Sequence, residues 1–134
     1  MRIDEKEAQE FQELTQKAAQ LAAQTAEDRK AEDVMIYYLG NKSAVADYHV
    51  ICTGFSEPHI KAVANHIGKA LKEQLGLMPK GTEGKAESQW ILMDYPNVLV
   101  HIFHPEGRQK YRMEELLEQG TLIYPETKDS EESE

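Results

Sequence analysis

Apolar side chains recur at spacings of three and four through residues 4–30, where Phe11, Leu14, Ala18, Leu21, Ala22 and Thr25 fall on one stripe of a helix. The stripe is thin and rich in Ala and Gln, which predicts a helix that packs weakly on its own domain or lies against another chain. The period then shortens to two. Val34–Leu39 alternates β-prone and aromatic side chains and reads as a strand, and Gly40-Asn41-Lys42-Ser43 reads as a turn. A second strand, Asp47–Thr53, is apolar on both faces apart from His49, the pattern of a central strand.

After the Gly54-Phe55-Ser56 turn the helical period returns. Ser56 is a good N-cap with Glu57 and Pro58 in the first helical positions, and Ile60, Val63, Ala64, Ile67, Leu71 and Leu75 share one face. Gly76 ends this helix and Pro79 prevents its restarting. Residues 80–88, polar and with two glycines, read as a loop. Trp90–Asp94 and Val98–Phe103 read as strands joined by a tight hairpin at Tyr95-Pro96-Asn97. Pro105 opens a short helix bearing Tyr111, Leu116 and Leu117 that stops near Gly120, and residues 121–134 read as an acidic disordered tail. The expected fold is α/β (α+β), a mixed sheet with helices against it, in the order α-β-β-α-β-β-α.

At 134 residues and 40% hydrophobic, the chain has the makings of one globular domain. No apolar run approaches the ~18 residues a membrane span requires, and the start is too acidic for a signal or transit peptide, so a cytoplasmic location is expected. Cys52, the sole cysteine, excludes an internal disulfide and is expected to be a buried small hydrophobe. The net charge of −9 is uneven: residues 1–33 and 126–134 carry −4 each, leaving −1 for residues 34–125. Phosphate backbones would repel such a molecule, and no basic patch invites direct nucleic-acid binding. A basic protein is the partner this charge favours.

The residues offer little for catalysis. Gly54-Phe55-Ser56, between a strand and a helix, resembles the start of a nucleotidyltransferase site, but that chemistry needs grouped carboxylates to hold Mg²⁺, and Trp90–Asp94 supplies one acid at its end. The turn is better read as a helix cap. His59 and His66 lie seven residues apart on one helix, about 10 Å along the axis, too far for one ion. His101 and His104 point to opposite faces of an extended strand, and His101 reads as lining an exposed sheet face. Ser43, Ser56 and Ser88 sit at turns, where local hydrogen bonding explains them, and there is no Walker loop or dinucleotide fingerprint. No enzyme, metal or cofactor is expected. Trp90 stands out instead: burial tendencies make it a core plug, whereas an aromatic residue bracketed by Glu83, Glu87 and Asp94 has the makings of an interface anchor for Lys or Arg.

Several motifs in order carry a resemblance. Ala46-Asp47-Tyr48-His49-Val50-Ile51-Cys52-Thr53-Gly54-Phe55-Ser56, then His59–Ala64, Gly81-Thr82-Glu83-Gly84, Trp90–Tyr95, Val98–Phe103 and Arg108 with Tyr111 resemble the ribosomal silencing factor family, also called Iojap-like proteins. The resemblance covers roughly residues 17–118. It sets apart a helical extension (1–16), the family domain (17–120) and the tail (121–134). It implies a nucleotidyltransferase-like fold without catalytic carboxylates, and binding to large-subunit ribosomal protein number fourteen that blocks joining of the small subunit and represses translation. It also implies a homodimer in isolation and a companion role in large-subunit assembly. Carried over by position, the contact residues are Glu83, Trp90, Ile91, Asp94 and His101, with Gly81 and Gly84 shaping the loop. Tyr38 stands where the family often has an acid, Asn65 where aspartate is usual, and Leu117 where tryptophan is usual. A residual nucleotidyltransferase is the alternative from another class.

Overall fold

Two strands, β2 (Tyr48–Thr53) and β5 (Val98–Phe103), run parallel and side by side, and every residue of both is buried. The remaining strands extend outward from this pair in antiparallel pairings. They are β1 (Glu32–Tyr38), β3 (Gly81–Lys85), β4 (Trp90–Tyr95) and β6 (Thr121–Tyr124), and the sheet order is β3-β4-β5-β2-β1-β6. The helices are α1 (Glu5–Asp28), α2 (Glu57–Leu75) and α3 (Pro105–Tyr111), with a 3₁₀ turn at Gly40–Lys42. This computed structural model describes residues 4–85, 89–111, 115 and 117–125. Among them, no helix is long and apolar enough to cross a membrane.

Helices α1 and α2 cover one face of the sheet. Tyr48, Val50 and Cys52 of β2, Val98, Val100 and Ile102 of β5, and Ile91, Met93 and Tyr95 of β4 point into that layer. They meet Ile60, Val63, Ile67 and Leu71 of α2, the face expected from the spacing. Ser56 caps α2 by accepting from the His59 amide at 3.2 Å, and Gly76 closes it at φ 69°. Cys52 is fully buried, and burial pushes its thiol pKa up to about 12, as suits an inert core position.

Three expectations need correction. Helix α1 does not pack weakly: Ala18, Ala19, Ala22, Ala23 and Ala26 are all fully buried against α2 and the sheet. Alanine's short side chain lets the backbones approach, so a stripe that looked thin makes a close seam. The exposed part is the first half, where Phe11 is 43% exposed. Second, residues 81–85 form an edge strand instead of a loop, paired along its length from Gly81 opposite Asp94 to Lys85 opposite Trp90. Its polar composition follows from exposure of all five residues. At Gly84 φ is 81°, and a Cβ there would lie 2.2 Å from the Trp90 carbonyl oxygen, so only glycine fits.

Third, the tail begins later than expected. Thr121–Tyr124 pairs with β1, Ile123 and Tyr124 pack on the core, and the Tyr124 hydroxyl donates to the Glu27 carboxylate. Gly120 permits this return, because a Cβ there would meet the Tyr38 carbonyl oxygen at 2.6 Å. Residues 126–134 and Leu116 lie outside the described residues. The observed order is α-β-β-α-β-β-β-α-β.

Filling the alanine seam tests its tightness. Ala22→Leu should lower stability by about 1–3 kcal/mol through overpacking, whereas Gln24→Ala, on the exposed side of α1, should change little. Urea unfolding of both variants decides the matter; equal midpoints would show that α1 rides loosely after all.

Candidate functional site

The second face of the sheet is built by strict alternation. Along β4, Trp90, Leu92 and Asp94 are half-buried and face away from α1 and α2, while Ile91, Met93 and Tyr95 are buried beneath them. Register extends each residue into a row: Lys85–Trp90–Phe103–Thr53, Glu83–Leu92–His101–Ile51, and Gly81–Asp94–Leu99–His49. Directly opposed residues share a face. The sheet therefore brings Glu83, Trp90, Asp94, His101 and Gly81 together. Ile91, 7% exposed, lies on the other side in the helical core, so it supports Trp90's strand without reaching the face. Gly84 belongs to the Ile91 row, and its role is the close approach to the Trp90 backbone. Glu87 lies outside the described residues.

Aromatic rings fill the middle of this face. Trp90 lies with its ring centroid 5.3 Å from Phe103, 5.0 Å from Tyr111 and 6.1 Å from His101. His101 in turn stacks on Phe103 at 6.2 Å and on His49 at 5.5 Å. A second small core of Leu39, Ile51, Phe103 and Leu117 lies under it, with Trp90 packed against its edge. Trp90 is thus both of the things its sequence allowed, part plug and part exposed ring. A cleft of about 120 Å³ opens beside it, lined by Glu83, Gly84, Trp90, Leu92 and Tyr111. The indole Nε1 of Trp90 and Nδ1 of His101 are buried without hydrogen-bond partners among the described residues.

His101 does not line an exposed face; it is 3% exposed. Its Nε2 lies 3.2 Å from Nδ1 of His49, itself 8% exposed, and His49 Nε2 approaches the Ser43 hydroxyl at 3.4 Å. Burial lowers the His101 pKa to about 3, with the neighbouring His49 adding to the effect, and burial also lowers that of His49. Both rings are therefore neutral at pH 7, one N–H donating to the other ring's lone pair. Among the described residues no group of three or more His, Cys, Asp or Glu could hold a metal ion.

At the carboxyl ends of β2 and β5, a more open pocket of about 350 Å³ is lined by Glu32, Asp33, Thr53, Phe55, Pro105, Arg108 and Gln109. Arg108 is 7% exposed, and its Nη1 donates to the Asp33 carbonyl and the Thr53 hydroxyl, each at 2.8 Å. It braces α3 against β1 and β2. Sequence reasoning missed the contributions of Leu92, His49 and Phe103 to the second face. Their signal was the two-residue alternation with Trp90 and His101, applied to neighbouring strands.

Fold and face together define a mixed α/β domain, its central parallel pair wrapped by helices on one side and by an aromatic, acid-rimmed surface on the other. The family described as ribosomal silencing factor during starvation matches residues 12–134. A ribosomal silencing factor from Halalkalibacterium halodurans is 38% identical over 101 residues, 75% of this chain and 86% of that protein. The crystal structure of a Chromobacterium violaceum protein superposes with a TM-score of 0.72 at 31% identity, covering 77% of this chain and 85% of the other. A Mus musculus protein named mitochondrial assembly of ribosomal large subunit protein 1 is 27% identical over 88 residues, 64% of this chain and 39% of that protein. The chain belongs to the ribosomal silencing factor family, whose members are named for silencing ribosomes and not for an enzymatic reaction.

The histidine pair gives a signed pH dependence. A histidine whose folded pKa lies below its unfolded value of about 6.5 contributes stability in full above pH 6.5, and that contribution is lost as the pH falls from there toward 3. Protonating His101 can cost up to about 1.4 kcal/mol per pH unit across that window, and burial shifts His49 in the same direction. His101→Phe keeps a ring in the stack and removes one titrating group, so its stability should fall less steeply between pH 6.5 and 4. Urea midpoints across that range, identical in slope for both proteins, would refute the pair's role.

Proposed function

We propose that this chain represses translation by binding the large ribosomal subunit through large-subunit ribosomal protein number fourteen and leaving the small subunit no room to join. The single observation that carries this reading is the face holding Trp90, a half-buried aromatic residue with Glu83 on the next row and Asp94 on the row beyond. Central aromatic residues set in packed surroundings are what protein interfaces use as hot spots, and acids around them suit a basic ribosomal protein. Family membership supplies the ribosomal context. The reading extends to a cytoplasmic site of action and to a nucleotidyltransferase-like scaffold put to non-catalytic use. A standard interface of about 1,600 Å² is enough for micromolar to nanomolar binding, depending on its hot spots.

A second reading, large-subunit assembly, is favoured by one observation: the related Mus musculus protein is named for that process. Precursor accumulation in growing cells lacking the chain, with normal subunit joining in vitro, would select it.

The decisive measurement mixes purified large subunits with the protein, adds small subunits and follows joining on a gradient. Joining should fall as the protein saturates. Complete ribosomes forming normally at saturation would end the steric account. Trp90→Ala should cost at least about 2 kcal/mol of large-subunit binding by co-sedimentation, with circular dichroism to confirm folding. Unchanged co-sedimentation would remove Trp90 from the contact.

A further inference from the structure

We propose that the cleft beside Trp90 is a receptor for one arginine side chain of a basic protein partner. The proposal rests on the ribosome-binding reading for the identity of that partner, but the chemistry of the cleft is its own. At about 120 Å³ the cleft is well below the roughly 300–1,000 Å³ of drug-sized ligand sites, so it holds the end of one side chain.

Its lining selects that end. Trp90 and Tyr111 meet at 5.0 Å between ring centroids with a 43° tilt, forming two walls of an open corner. Tyr111 is 40% exposed, so the corner is reachable. Glu83 lies on the adjacent strand, in the Leu92 row, and supplies a carboxylate. An anion would meet both the carboxylate and the negative ring faces; an uncharged methyl would desolvate Glu83 for nothing in return. A cation satisfies all three groups. Arginine fits better than lysine, because a planar guanidinium stacks on a ring while its N–H groups reach a carboxylate as a pair. Its methylene stem lies along Leu92.

Other charges nearby leave this preference standing. Lys85 stands opposite Trp90 and Asp94 opposite Gly81, one charge of each sign on neighbouring rows. Lys110 lies with Nζ 5.6 Å from the Tyr111 centroid, so this array already attracts one ammonium of the chain itself. Lys110 is not among the residues lining the cleft.

Trp90 is the only tryptophan, so its fluorescence reports the cleft directly. The full chain is titrated with N-acetylarginine methylamide and with N-acetylcitrulline methylamide, a neutral probe of the same shape. A saturating change with the arginine probe is expected, with citrulline about three- to fivefold weaker. Tyr111→Phe should keep the response, Tyr111→Leu should abolish it, and Glu83→Gln should weaken the arginine probe about threefold or more. Equal responses to the two probes, or a change that never saturates, overturns the proposal. Thermal unfolding establishes that each variant is folded. Sedimentation with large subunits forms the second arm, in which Tyr111→Leu and Glu83→Gln should both bind more weakly. Wild-type affinity in both variants would overturn the assignment to a ribosomal partner. An arginine-selective titration in a chain that never sediments with large subunits would instead overturn the ribosomal reading and keep the receptor.

Discussion

The parallel pairing of β2 with β5 is the constraint on which the rest of the molecule depends. All twelve residues of these strands are buried, so both faces of the sheet need cover at its centre. Parallel strands demand a long connection, and here the chain between them supplies α2 and the β3–β4 hairpin. One connection thus provides the helix that closes one face and the two strands that widen the sheet. The turn at Pro96-Asn97, with Asn97 at φ 63°, then returns the chain directly into β5.

The two faces are closed by different chemistry. The helical side is a largely apolar layer sealed by alanines, with the Tyr95 hydroxyl buried in it. Among the described residues, α3 and the Leu117 region are the cover on the other side, and few side chains of α3 are aliphatic. Rings do the work instead. Flat side chains stack edge to edge over a wide area, and the two histidines satisfy part of each other's hydrogen-bonding capacity. The outcome is a face whose centre is rigid and whose margin, at Trp90, Leu92 and Asp94, is left half-open. A surface of that kind is poised to bind another protein because its aromatic groups are already ordered before contact.

How much of this was legible depends on the range of the physics. Local rules worked: Ser56 and Gly76 bound α2 because capping is decided within a few residues, and the apolar runs of β2 and β5 marked central strands because burial on two faces leaves no polar position. Rules that need a partner elsewhere failed. Nothing within residues 81–85 favours a strand; their pairing comes from β4, across a hairpin whose residues 86–88 lie outside the described set. Thr121–Tyr124 likewise depends on β1, some eighty residues earlier in the chain. His101 looked exposed because an alternating pattern reveals which residues share a face, but not whether His49 and Trp90 cover it. Leu117 proved to be a fully packed core residue.

The same distinction bears on the absence of catalytic design at the Gly54-Phe55-Ser56 turn. A nucleotide or metal site there would need donors and carboxylates held ready and unspent. The Ser56 hydroxyl is committed to the His59 amide, and His59 Nδ1 faces the Phe55 amide at 3.1 Å. Arg108, the strongest cation at the pocket, gives Nη1 to Asp33 and Thr53 and closes the β1 irregularity between Glu32 and Met35. Each group that a phosphate would recruit is already holding the ends of strands together. Releasing Arg108 to a ligand would leave the Thr53 hydroxyl, 3% exposed, without its donor, at a cost of about 1–3 kcal/mol. The pocket is thus structural in its energetics, and the molecule's unspent chemistry lies further along the same face, around Trp90.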